Sequence, residues 1–176
     1  MAKMTGKVTH VGVKADKDTG EERIEGVPVT IDASGAPGFA LDGGGFDRTL
    51  IVDSGLHVTV DGLTLTNGHG FQLAGCVLNN GTLTLENTTV TGCTMKTDAG
   101  DFWQGGGGIY NGDGATLYLV DSTVAGNSSG WAGGGIYSFF NTTTTVLRST
   151  ISGNVAVANV GGGLRTLGNA TIDNST

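Results

Sequence analysis

The chain has 176 residues, a formal net charge of -7 and a pI near 4.6. That is one domain's worth of sequence, and its acidic balance supplies no basic stripe to neutralise phosphates, so nucleic acid is excluded as a partner. No run of apolar residues is long enough for a membrane-spanning helix, which excludes membrane insertion by helices. Glycine contributes 33 residues and proline only 2, which rules out collagen. Charged residues are only 14%, which does not fit a charge-rich disordered chain.

In chain order, residues 1–27 place Lys7–Ala15 and Arg23–Ile31 on either side of the polar turn Asp16-Lys17-Asp18-Thr19-Gly20-Glu21. This predicts a β-hairpin that caps the N-terminal end of whatever follows. From residue 28 onward, self-similarity decides the reading. Gly107-Gly108-Ile109 returns as Gly134-Gly135-Ile136 after 27 residues and as Gly162-Gly163-Leu164 after 28, and Ser122-Thr123-Val124 returns as Ser149-Thr150-Ile151. Earlier, divergent copies run through Cys76–Cys93 and Leu56–Thr66. Within each copy apolar residues alternate with threonine, as in Thr82-Leu83-Thr84-Leu85 and Thr116-Leu117-Tyr118-Leu119, a period of two that marks half-buried strands. The expected fold over residues 28–176 is therefore all-β: a right-handed parallel β-helix, a solenoid of three short strands per coil and 27–28 residues per repeat. Its last repeat stops in mid-coil, which predicts an open end capable of weak homo-oligomeric association.

Stacking turns repeated positions into ladders. Asn127 should lie over Asn154 at a turn, with Cys93 taking the place of Asn one coil earlier, and Arg148 should stand beside Asp121. The glycine runs before Ile109, Ile136 and Leu164 should occupy a corner that needs positive φ or leaves no room for a Cβ. Cys76 aligns with Gly108 and Cys93 with Asn127. Two readings stay open for the cysteines: a bridge, or two buried thiols acting as small hydrophobes.

GGGGIYN, GGGIYS, STVAGN and STISGN, together with Val29–Gly55 and VTVDGLTLTNG from Val58, resemble the repeats of bacterial surface β-helices of the polymorphic outer-membrane-protein and autotransporter-passenger type, within the pectate-lyase-like superfamily. The resemblance implies a secreted or cell-surface protein. It does not fix an activity, because that fold carries adhesins, lyases, glycosidases and passive scaffolds alike.

Two functional readings follow. In the first, a rigid acidic surface serves adhesion to a polysaccharide or a cell-surface protein. Trp103 and Trp131 precede the glycine corner at the same offset in adjacent coils, and Tyr110 and Tyr137 form a second register continued by Arg165. Aromatics in line form a platform for sugar rings; the competing reading is that they cover the solenoid itself. In the second, the chain is a carbohydrate-active enzyme. A glycosidase needs two carboxylates about 5–9.5 Å apart, for which Asp98, Asp101 and Asp113 are the candidates, and a lyase would need clustered acids to hold Ca²⁺. No His, Cys or acidic cluster has metal-ligand spacing, so no metal or other cofactor is expected outside the lyase case. Thr-x-Thr elements (Thr64/Thr66, Thr82/Thr84, Thr89/Thr91, Thr143/Thr145) raise the question of ice binding, but the succession Thr91, Ala125, Ser152 and the intrusion of Tyr118 break the pattern, and β-propensity accounts for the threonines.

Overall fold

The computed structural model describes residues 14–15, 22–23, 28–97 and 104–176. Every regular element among them is a β-strand. β1 (Lys14–Ala15) and β2 (Glu22–Arg23) pair antiparallel, the arrangement a hairpin requires. All later pairing is parallel. The chain runs through β3 (Val29–Asp32), β4 (Ala40–Asp42) and β5 (Leu50–Val52), then β6 (His57–Asp61), β7 (Thr64–Thr66), β8 (His69–Phe71) and β9 (Val77–Asn79). The next coil holds β10 (Thr82–Glu86), β11 (Thr89–Thr91), β12 (Thr94–Lys96) and β13 (Ile109–Asn111), followed by β14 (Thr116–Val120), β15 (Thr123–Ala125), β16 (Ser128–Ser129) and β17 (Ile136–Ser138). Last come β18 (Thr143–Leu147), β19 (Thr150–Ser152), β20 (Val155–Ala156), β21 (Leu164–Thr166) and β22 (Asn169–Asp173).

Equivalent strands of successive coils pair in register and build four sheets: sheet I (β3-β6-β10-β14-β18-β22), sheet II (β4-β7-β11-β15-β19), sheet III (β8-β12-β16-β20) and sheet IV (β5-β9-β13-β17-β21). The protein is thus a parallel β-helix of about five turns. Its coil has four strands where three were expected. The additional sheet III consists of strands of two or three residues, such as Ser128-Ser129, too short to carry an alternation.

Alternation decides what faces in. Leu83 and Leu85, Leu117 and Leu119 from sheet I, Leu65, Val90 and Val124 from sheet II, and Val77, Ile109 and Ile136 from sheet IV are fully buried in one column along the axis. Each such side chain contributes about 1.5–3 kcal/mol only because the neighbouring coils bury it. In β22, by contrast, all five residues are exposed, Ile172 at 57%.

The corners follow one rule. Between sheets I and II a residue with positive φ (Gly62, Asn87, Asp121, Arg148, Asn174) is followed by an inward residue (Leu63, Thr88, Ser122, Ser149, Ser175). Each inward hydroxyl donates to a carbonyl of its own corner, and each of the three serines also accepts the corner amide of the coil before. Ser122 Oγ accepts Thr88 N at 3.0 Å, Ser149 Oγ accepts Ser122 N, and Ser175 Oγ accepts Ser149 N. Between sheets II and III the same device uses asparagine. Asn154 Oδ1 accepts Asn127 N, Asn127 Oδ1 accepts Cys93 N, both at 3.0 Å, and each Nδ2 reaches back to a carbonyl of the coil before, Val124 and Val90 respectively. The predicted stacking of Asn127 on Asn154 is therefore present. The left-handed residue of that turn is the preceding Gly126 or Gly153, and the asparagines point inward.

One coil earlier, Cys93 stands in the asparagine position and is bridged to Cys76, with Cα atoms 5.5 Å apart. The reason lies in the space that the side chains share. A Cβ on Gly135 would come within 2.8 Å of Asn154 Nδ2, and one on Gly108 within 3.0 Å of Asn127 Nδ2. The glycine before the sheet IV strand of one coil makes room for the asparagine of the next coil. Cys76 and Cys93 fill that shared space together, so the disulfide is the covalent counterpart of a glycine–asparagine pair. The amide of Gly68 lies 3.3 Å from Cys76 Sγ, and a Cβ on Gly68 would clash with that sulfur at 2.6 Å.

A double variant, Cys76→Gly with Cys93→Asn, copies the Gly108/Asn127 pair into this coil. In urea unfolding, Cys76→Ala with Cys93→Ala is expected to lose about 3 kcal/mol, the loop-closure contribution of a bridge of this span. The Gly/Asn variant should recover part of that loss through the restored ladder. Equal losses in both variants would show that the asparagine ladder contributes nothing at this level.

Candidate binding faces

The III-to-IV connections decide the fate of the expected aromatic platform. Outward positions of sheet IV form the rank Ile51, Leu78, Tyr110, Tyr137, Arg165, one per coil, so the predicted register of Tyr110, Tyr137 and Arg165 is present. The ring centroids of Tyr110 and Tyr137 lie 5.6 Å apart, and the Arg165 guanidinium carbon is 5.5 Å from the Tyr137 centroid. Their exposure is not that of a platform. Tyr137 is fully buried and Tyr110 is 6% exposed, packed with Ala74 and Ala132 and flanked by Leu73, Leu78, Trp131, Phe139 and Leu167 in a second apolar cluster. The glycine runs bring this about. A Cβ on Gly105 or Gly133 would lie 2.7 Å from Tyr137, so the loops close directly over the ring only because those positions are glycine. The two tyrosines are packed cover, and Trp131 lies half-buried against the same cluster. Trp103, Asp98 and Asp101 lie outside the described residues.

Asp113 is exposed and accepts Asn141 Nδ2 at 3.0 Å. Asp121 and Arg148 make the predicted ladder pair, bidentate with Nε–Oδ1 2.8 Å and Nη2–Oδ2 2.6 Å. The guanidinium holds the Asp121 carboxyl below the usual carboxylate range. Both side chains are well exposed, and the pair stands at the corner where each residue has positive φ. Among the described residues no group of three or more His, Cys, Asp or Glu side chains converges as a metal site.

Among the described residues, the outer faces of sheets I and II are open. On sheet I the middle outward rank is Thr30, Thr59, Thr84, Tyr118, Thr145, Thr171, flanked on one side by His57, Thr82, Thr116, Thr143, Asn169 and on the other by Asp32, Asp61, Glu86, Val120, Leu147, Asp173. Tyr118, 39% exposed, is the large aromatic of this face. Sequence reasoning passed over it as an interruption, although the alternation Thr116-Leu117-Tyr118-Leu119 already sets it outward. Asp32 at one end has its carboxyl held low by the hydroxyl and amide of Ser34.

The chain was compared with protein-family models, curated proteins and solved structures. None of them matches.

Burial pushes the Tyr110 hydroxyl up to about 12, with the neighbouring Tyr137 and Asp113 adding to the shift, and burial also raises Tyr137. The folded state thus keeps protons that the unfolded chain, titrating near 10, gives up. The stabilisation is complete below pH ~10 and is lost as pH rises toward 12. Tyr110→Phe is expected to flatten the fall in melting temperature over this window. An alkaline melting profile identical to that of the unsubstituted protein would contradict the burial of Tyr110.

Proposed function

We propose that this protein is a secreted or cell-surface β-helix of the pectate-lyase-like type, of bacterial kind by its repeats, which binds a polysaccharide along the outer face of sheet I. The observation that carries the reading is the axial rank Thr30, Thr59, Thr84, Tyr118, Thr145, Thr171. An extended glycan laid along the axis meets one side chain about every 4.8 Å. The hydroxyls donate to and accept from the sugar hydroxyls, and the Tyr118 ring offers an apolar face to a pyranose. The net charge of -7 and the edge of Asp32, Asp61 and Glu86 oppose a polyuronate and favour a neutral or amino sugar chain. Placement outside the cytosol is supported by the Cys76–Cys93 bridge, since disulfides persist in oxidising compartments.

The test is retention on insoluble neutral and amino polysaccharides, followed by a glycan array. Tyr118→Ala should weaken retention at least about tenfold, the equivalent of ~1.4 kcal/mol, with the melting temperature almost unchanged. Equal retention of the variant, or no retention of the wild type on any glycan, would overturn the reading. Release of reducing sugar from a retained polymer would move the assignment to a glycoside hydrolase or lyase.

A further inference from the structure

The outer face of sheet II differs in kind from that of sheet I. Its strands β7, β11, β15 and β19 point Leu65, Val90, Val124 and Ile151 inward and leave two outward ranks. The first is Thr64, Thr89, Thr123, Thr150, unbroken over four coils, and the second is Thr66, Thr91, Ala125, Ser152. Tyr118, which interrupts the threonines in the linear sequence, belongs to sheet I and does not touch this array. From β7 to β19 no charged or bulky side chain stands in either rank; on β4, beyond Thr64 and Thr66, the ranks continue with Ala40 and the charged Asp42.

Two further observations bear on what such a face can hold. The inward hydroxyls of Thr88, Ser122, Ser149 and Ser175 are all engaged in corner hydrogen bonds. The outward hydroxyls of Thr64, Thr89, Thr123 and Thr150 make none to another described residue and are left to solvent. At the adjoining corner Gly92 and Gly126 have positive φ, and a Cβ at either would rest in ordinary contact, 3.5 or 3.6 Å, with the hydroxyl of Thr66 or Thr91.

A flat array of paired hydroxyls and methyls, repeating at about 4.8 Å along the axis and about 6.7 Å across each strand, cannot recognise a sequence or a single charge. It can recognise another lattice. Parallel pairing on both sides of β7, β11 and β15 holds the ranks rigid there, so the ordering entropy is met in folding and not on binding. The axial repeat is close to that of hexagonal ice along its a axis, and over four coils the mismatch stays below the diameter of one water molecule. Waters seated between the ranks would be held by the free hydroxyls and would rest against the methyl groups.

We propose that the outer face of sheet II is an ice-binding surface, with Thr64, Thr89, Thr123 and Thr150 holding the first ordered water layer. The face used for glycan contact is a different one, so the two assignments stand or fall separately.

The experiment grows polycrystalline ice slowly from a dilute solution of the fluorescently labelled protein and measures partition into the ice, with recrystallisation inhibition as a second readout. Wild type should be enriched several-fold over a non-binding globular control. Thr89→Lys with Thr123→Lys should be excluded like the control, and Thr89→Val with Thr123→Val, which keeps the shape, should bind less than wild type. Tyr118→Ala and Thr84→Lys, both on sheet I, should behave as wild type, and circular dichroism should show every variant folded. Exclusion of the wild type from ice, incorporation of the double lysine variant, or loss caused equally by Thr84→Lys would overturn the proposal. So would retention on a crystalline polysaccharide that the double lysine variant abolishes while ice partition is absent, which would assign the face to a solid glycan instead.

Discussion

A corner amide buried between two coils has no strand partner. In this protein the hydrogen bond that satisfies it comes from a side chain of the next coil. Ser122, Ser149 and Ser175 serve the corner between sheets I and II, and Asn127 and Asn154 serve the corner between sheets II and III. A buried amide left without a partner costs about 1–3 kcal/mol, so a coil out of register forfeits that amount at each corner as well as its strand pairing. The apolar column rewards any stacking that buries Leu, Val and Ile; the ladders of serine and asparagine reward one register alone. The Cys76–Cys93 bridge fits the same logic, since it fills the volume that glycine and asparagine share in the two coils that follow.

Because stability is built into the column and the corners, the outward positions are free to carry function. Sheets I and II present two different outward surfaces. Sheet I mixes hydroxyls with an exposed tyrosine and an acidic edge, and sheet II keeps small uncharged side chains throughout four coils. Sheet IV has taken a third course: its outward tyrosines are covered by the glycine-rich connections and act as a second core. Arg48 ties the first of these connections down, its guanidinium donating to the carbonyls of Leu73 and Phe71.

Much of this was legible in the residues. The repeat of Gly-Gly-Ile and Ser-Thr-Val/Ile gave the solenoid, its spacing stacked Asn127 on Asn154, and the replacement of Asp121 by Arg148 one coil on gave their ion pair. What stayed hidden has physical reasons. Sheet III is made of strands such as His69-Gly70-Phe71 and Ser128-Ser129, which have no alternation to detect. Alignment of Cys76 with Gly108 and Cys93 with Asn127 gives their positions around the coil and no distance across it, so the bridge and the free thiols were equally compatible with the pattern. The burial of Tyr110 and Tyr137 depends on how far the glycine connections fold back, and a run of glycines states only that close approach is permitted. The unbroken rank of sheet II was obscured because Thr-x-Thr elements of two different sheets follow one another in sequence.

Native-state hydrogen exchange at the amide of Cys93 tests the ladder account most directly. That amide donates to the side chain of Asn127 in the next coil. In the wild type it should exchange as slowly as the amides of the sheet II strands on either side, and in Asn127→Ala it should exchange far faster while the amides of Leu65 and Val90 remain protected. A Cys93 amide that exchanges at the same rate with and without the Asn127 side chain would contradict the claim that side-chain ladders hold the coils in register.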